Sequence, residues 1–401
     1  MTTPTQTLQL YPWLDHDLHH PLDPPPEFAR LRAEQPVVYV HMKNGHEAWL
    51  ITRHEDVRAA LRDPRLSANH DRPGFPQMGP ADRAVKPGTF AHMDPPDHTR
   101  LRLILAPEFM PKRITALRPR IQEIVDELIT KMVAEGPPAD VVEALAMPLP
   151  SRVICEMLGV PYADHSFFQG HTRVLMSQAT SGEASDSSFE TLLSYLDRLV
   201  TAKEQDPGRD ILSRLADRVN HGVITHREAV GMAILLLFAG HETSANMLGL
   251  ITFTLLQNPG QLSQFKADPA LIGRVIEESL RYLMIIHTGI VRIATDDVVI
   301  GGQLIRSGQG VILALGSANR DENVFAHPDQ FDIHRDASQH LTFAQGIHLC
   351  LGAHLARAEL QIAIRTLFLS FKNLRLAVPP SEIPFKNDMF IYGVHSLPVA
   401  W

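Results

Sequence analysis

Cysteine is nearly missing from this chain, with only Cys155 and Cys350 among 401 residues. Two thiols cannot make a disulfide framework, nor can they ligate an iron–sulfur cluster, which takes four. Positive charge is not in surplus either. Lys plus Arg number 37 against 45 Asp plus Glu, a formal charge of −8, which argues against a surface built for nucleic acid or anionic lipid. The opening MTTPTQTLQLYPWLDHD has neither a basic start nor an apolar run long enough for a signal peptide or anchor. The expectation is a cytoplasmic monomer with no membrane anchor and no nucleic-acid partner. No Gly-x-Gly-x-x-Gly follows a strand pattern, no Pro- or Gly-rich linker separates regions, and no repeat recurs at solenoid periods. One domain over 1–401 is expected, with residues 1–30 as an irregular lead-in.

Apolar material is ample, at 44% hydrophobic residues, enough for a large buried core. VVYVHMKNGHEAWLIT places two β-rich runs around Asn44-Gly45, a hairpin signal. DDVVIGGQLIRSGQGVILAL, punctuated by Gly301-Gly302 and Gly308, suggests a second pair of strands. Elsewhere the period is helical, over 113–134, 188–204, 227–257, 271–283 and 353–371. A mainly α chain with small sheets (α+β) results, each β patch packing on one shared helical body.

Cys155 sits on the apolar face of SRVICEMLGV and reads as a buried core thiol. Cys350 differs. In LTFAQGIHLCLGAHLARAEL it is bracketed by Gly346 and Gly352 just before an amphipathic helix, where glycines allow a flat ligand to approach and the helix start favours a thiolate. A zinc site from His348, Cys350 and His354 is a competing metal reading, although the pairs at usual finger spacing are missing.

The string Phe343-x-x-Gly346-x-His348-x-Cys350-x-Gly352 resembles the haem-binding loop of the cytochromes P-450, in which the cysteine thiolate is the proximal iron ligand. Ala344 stands where that family usually has a small polar residue or glycine. The run HREAVGMAILLLFAGHETSANMLGLITFTLLQNP reads as one helix of about 45 Å. As a membrane span it is interrupted by His241-Glu242-Thr243-Ser244, and an acid and an alcohol inside a buried helix are costly. Ala239-Gly240-His241-Glu242-Thr243 matches the family's oxygen-binding helix. By that resemblance the small pair Ala239 and Gly240 leaves room for dioxygen, Thr243 hydrogen-bonds the oxygen held at iron, and Glu242 relays protons.

Further positions follow the same resemblance. Glu278 and Arg281, three apart on a helix, would form a structural salt bridge completed by Arg335. His98 and Arg102 share a helix face after Pro95-Pro96 and, with Arg292 and His348, would contact the haem propionates. The match runs from the early hairpin to the closing GVHSLPVAW and is nearest to soluble actinobacterial members acting on secondary metabolites or foreign compounds.

The implied activity is a haem-thiolate monooxygenase that inserts one oxygen atom from O2 into a lipophilic small molecule, with haem b as cofactor. Leu236, the stretch 286–291 with Ile286, Gly289, Ile290 and Val291, residues Phe390 and Ile391, and the segments 72–92 and 167–185 would line the substrate pocket. Having no dinucleotide, flavin or iron–sulfur signature, the chain needs electrons from NAD(P)H through a ferredoxin reductase and a ferredoxin. Arg100, Lys112, Arg113 and Arg357 are the candidate basic contacts for that acidic partner. A peroxide-driven peroxygenase is the nearest alternative, and the retained Glu242-Thr243 pair argues against it. A non-catalytic binder of hydrophobic ligands would not need that proton machinery.

Overall fold

The computed structural model describes residues 9–10, 17, 20–42, 45–77 and 87–401. Its contacts gather into two units. The first takes the described residues of Met1–Val85 with Ala91–Pro96 and Glu277–Cys350; the second takes those of Lys86–Phe90 with Asp97–Ile276 and Leu351–Trp401.

A six-stranded sheet organises the first unit, in the order Gln9–Leu10, Val37–His41, Glu47–Ile51, Gly310–Leu313, Ile290–Ala294, Leu66–Ser67. The expected hairpin is there: Val37–His41 and Glu47–Ile51 pair antiparallel, Val37 opposite Ile51 and His41 opposite Glu47. Gly45 takes φ 85°, the sign a tight turn needs, while Asn44 lies outside the described residues. Gly301 and Gly302, both at positive φ, turn a second hairpin between Val298–Ile300 and Gln303–Ile305.

The two β patches do not merely rest on a common helical body, as the sequence suggests. Gly310–Leu313 pairs in parallel with Glu47–Ile51 and antiparallel with Ile290–Ala294, so the last strand of the second patch joins the sheet of the first, while the hairpin Val298–Ile300 with Gln303–Ile305 stays a separate two-stranded sheet. Pairing across some 260 positions has no local signature; periodicity shows a strand but not its neighbour. Beneath the sheet, Val37, Trp49, Ile51, Leu61, Ile305, Val311, Leu313 and Leu341 form a buried cluster.

The second unit is helical around His226–Gln257, a 32-residue helix buried from Ala229 to Leu255 with few interruptions. Such a helix, apolar all round, must be wrapped by others. Pro148–Leu158, Gly182–Gln205 and Ala353–Ser370 pack against it, and Pro111–Glu135 packs on Ala353–Ser370. Its 18-residue apolar window has mean hydropathy 1.3, enough by length and composition to cross a membrane. The polar interruption at 241–244 therefore does not by itself exclude a span; what sets this helix apart is that 72% of that window is buried in protein. The helical stretches read from sequence appear as Pro111–Glu135, Gly182–Gln205, His226–Gln257, Ile272–Tyr282 and Ala353–Ser370. A small sheet joins Arg375–Leu376, Pro398–Ala400 and Ala139–Asp140.

Candidate active site

In the first unit the cysteine loop is shaped by its backbone. Gly346 holds φ 72°, and a Cβ there would stand 2.6 Å from the Leu61 carbonyl oxygen, so no larger residue fits. Ala344 also lies at positive φ, 58°, a conformation that disfavours a side chain; the residue departing from the family pattern is also the one under backbone strain. The Cys350 N–H donates to the Phe343 carbonyl at 2.9 Å and closes the loop. Cys350 is exposed, with half-exposed Ile347 and Leu349 on either side of His348. Cys155 is fully buried, and burial pushes its thiol up to about 12, which leaves it inert.

Arg292, on the strand Ile290–Ala294, is 8% exposed and among the described residues makes one hydrogen bond, from Nη1 to the Val291 carbonyl at 2.7 Å. Among the described residues no carboxylate pairs with it directly; burial lowers its guanidinium to about 10, opposed by the charge of Asp94. A buried cation so weakly satisfied fits an anionic ligand. An exposed, loop-held thiol and a buried cation in want of an anion are together the donor set that haem and its propionates require. Among the described residues no group of three or more His, Cys, Asp and Glu could hold a metal ion, so His348, Cys350 and His354 do not make a zinc centre.

Also in this unit, Glu278 and Arg281 are wholly buried and bonded twice, Nε to Oε2 and Nη2 to Oε1, each 2.7 Å. Arg335 adds Nε to Glu278 Oε1 at 3.2 Å, and the Asp332 N–H donates to the same oxygen. The three residues expected together are together. Gly289 takes φ 77° against the Leu313 carbonyl, Val291 is buried, and Ile286 and Ile290 are partly buried.

The second unit carries the acid–alcohol pair. Thr225 caps the long helix, accepting from the Glu228 N–H while the Glu228 carboxylate accepts from the Thr225 N–H. Along its middle, three polar side chains bond carbonyls one turn back: His241 Nδ1 to Leu237 O at 2.9 Å, Thr243 Oγ1 to Ala239 O at 2.8 Å, and Asn246 Nδ2 to Glu242 O at 2.7 Å. Such back-bonding loosens a helix locally. Glu242 is buried, with Asn246 Nδ2 at 3.1 Å and Lys386 Nζ at 3.9 Å from Oε2. His241 Nε2 lies 3.7 Å from Oε1, and its complete burial lowers its pKa, keeping the ring neutral. Gly240 has a packing reason to be glycine: a Cβ there would lie 2.7 Å from the Ile154 side chain.

His98 and Arg102 share the helix Asp97–Leu105, His98 buried and Arg102 partly so. Leu236 is buried, and Phe390 and Ile391 are partly buried; residues 78–86 of the segment 72–92 lie outside the described residues. Of the four proposed partner contacts, Arg100 pairs with Glu228 and Asp97, and Arg113 lies 3.5 Å from Glu108. Lys112 is exposed and Arg357 partly buried.

Three residues escape sequence reasoning. Lys386 meets Glu242 only through tertiary folding, whereas Asn246 stands four residues on along the same helix, a neighbour that helical spacing does supply. Glu359 is buried on Ala353–Ser370, its carboxyl oxygens lacking a well-formed hydrogen bond, and burial lifts it to about 8 against a weak opposing contact from Ser244. It lies on a stripe of buried Leu355, Ala358 and Ile362, and an acid at such a position is a signal the sequence does contain.

A cytochrome P450 family model matches residues 270–395. The chain is 48% identical to cytochrome P450-SU2 of Streptomyces griseolus, over 95% of this chain and 94% of that protein. It is 44% identical to pentalenic acid synthase of Streptomyces avermitilis over the full length of both. The solved structure of CYP105P1 in complex with filipin I superposes with a TM-score of 0.92 at 39% identity, covering 98% of this chain and 99% of that one.

Proposed function

The chain belongs to the cytochrome P450 family, and we propose that, as a monooxygenase of that family, it oxidises a lipophilic secondary metabolite or foreign compound with electrons from NAD(P)H delivered by a ferredoxin reductase and a ferredoxin. The pairing of an exposed Cys350 in a closed loop with the buried, anion-seeking Arg292 carries the reading. The likeness to pentalenic acid synthase supports the substrate class.

Haem b bound through the Cys350 thiolate supplies the activation of O2 and the insertion of one oxygen atom into a substrate C–H bond. The protein's own groups do the rest. By the resemblance, Arg292 and His348 of the first unit, and His98 and Arg102 of the second, are the residues that would neutralise the propionates, and Phe343, Gly346 and Gly352 would shape the loop around the sulfur. Thr243 spends its proton on the Ala239 carbonyl, so its oxygen is left to accept a hydrogen bond. Glu242, held at one oxygen by the Asn246 amide, accepts and passes on protons. By the resemblance, Ile286, Ile290 and Val291 in the first unit and Leu236, Phe390 and Ile391 in the second are the residues that would meet an apolar substrate. Glu278, Arg281 and Arg335 keep the surrounding loops in place.

The reduced carbon monoxide complex is expected to show the strongly red-shifted Soret band of thiolate-ligated haem. Cys350→Ala should abolish that band and Cys155→Ala should leave it. A wild-type protein loaded with haem but lacking the band would overturn the assignment. Substrate class is tested by difference spectra against terpenoid acids and macrolides, where absence of any spectral shift across both sets argues for other chemistry.

A further inference from the structure

The C-terminal loop 385–394 is fastened on two sides within the second unit. Lys386 N–H bonds Gly393 O at 2.9 Å, and Phe385 pairs with Val394, folding the loop on itself. The end of the helix His165–Met176 grips it: Phe390 N–H donates to Met176 O at 2.8 Å, Gln178 N–H to Asp388 O at 2.9 Å and Gln178 Nε2 to Met389 O at 3.0 Å. On the other side it rests on the long helix, so closely that a Cβ on Gly393 would collide with Asn246 Oδ1. Asn246 is the residue whose amide bonds Glu242.

From this loop Lys386 projects inward, 8% exposed, to within 3.9 Å of Glu242 Oε2. Its surroundings disfavour a charge: burial depresses it, Arg173 adds to that, and Glu242 and Asp388 oppose it. Complete burial likewise disfavours a charge on His241, on the same helix as Glu242. The separation is too long for a hydrogen bond, so the attraction varies with the seating of the loop, while among the described residues it is Asn246 that bonds the carboxylate.

We propose that Lys386 is a positioning residue for Glu242, coupling the loop that carries Phe390 and Ile391 to the aim of the acid on the long helix. The proposal rests on Glu242 being the proton-handling acid. Without the ammonium, the carboxylate has no buried cationic partner among the described residues and turns away from its working orientation. A substrate that presses on Phe390 and Ile391 then adjusts proton handling through the backbone between residues 386 and 393, without touching Glu242.

Two measurements on the haem-loaded protein test this. Chemically reduced enzyme is mixed with aerated buffer in H2O and in D2O, and the rate of return to the ferric spectrum gives a solvent isotope effect. Lys386→Met is expected to raise that effect at least two-fold, with Lys386→Gln alongside in case the first variant folds poorly, and Lys386→Arg to restore it. In thermal unfolding, Lys386→Met and Glu242→Gln together should cost less than the sum of the single changes. An isotope effect in Lys386→Met equal to that of the wild type overturns the proposal even where the unfolding cycle couples, because the pair would then be structural only. If the wild type itself lacks the thiolate Soret band, the failure belongs to the haem-thiolate reading instead.

Discussion

Glu359 shows how far one side chain can be moved by its surroundings. It begins as an ordinary carboxyl near 4.5 in the unfolded chain and stands at about 8 when folded, because burial penalises its charge. Below 4.5 both states hold the proton; between 4.5 and 8 only the folded state keeps it. Stability from this group is therefore full in acid and is lost as pH rises towards 8, at up to about 1.4 kcal/mol per pH unit. Glu359→Gln should remove that slope, and the wild-type-minus-variant difference in unfolding free energy across pH 5 to 8 is the measurement. A flat difference would mean that water or a rearranged Ser244 satisfies the carboxylate. Cys350 and Gly346 were legible from the pattern of their loop, whereas the buried Glu278–Arg281 bridge was implied only by the resemblance, since two charges three apart on a helix are ordinarily a surface pair. Lys386 takes its meaning from Glu242, 144 positions earlier, and no local pattern announces that.

Elements were more legible than their neighbours. Periodicity reads 227–257 as a helix; in the structure it starts one residue earlier, at His226, where Thr225 and Glu228 make both reciprocal bonds of a capping box. The Glu228 carboxylate also meets Arg100, so this cap ties two helices and is not a local ornament. Thr225→Ala should cost about 1 kcal/mol and lower Tm while leaving the haem spectrum intact; an unchanged Tm would show that the Arg100 contact alone holds the helix start. Strand pairing was the illegible part. VVYVH and EAWLI are readable as a hairpin because a turn joins them, whereas Leu66–Ser67 is two residues long and Ile290–Ala294 is paired with it and with Gly310–Leu313 only through tertiary contact. Short strands without an adjoining turn carry too little pattern to be seen.

At the scale of the whole molecule, chain connectivity constrains how the protein unfolds. The two units alternate along the sequence in six segments, so neither can be cut out as a continuous piece. We expect the haem-loaded protein to unfold as one domain over 1–401, its haem absorbance and far-UV circular dichroism decaying at the same midpoint; separated midpoints would show that the units are independent domains.

Net charge frames the proposed encounter with a ferredoxin. At −8 overall, the protein repels an acidic partner at long range, so docking needs local positive charge that is not already cancelled. Arg100 is occupied by Asp97 and Glu228, and those carboxylates raise its pKa by bonding its charged form. Arg113 faces Glu108. Lys112 is exposed in the first turn of Pro111–Glu135 and forms no ion pair among the described residues, which makes it the cation with most to offer a partner. Lys112→Glu should slow reduction by ferredoxin by about three-fold at low salt and flatten the dependence on ionic strength, with Tm unchanged. Arg100→Glu should instead lower Tm, because it sets two carboxylates against each other at the start of the long helix. Stopped-flow reduction across a salt series separates the two cases: a Lys112→Glu curve that overlays the wild type would move the docking face elsewhere on the surface.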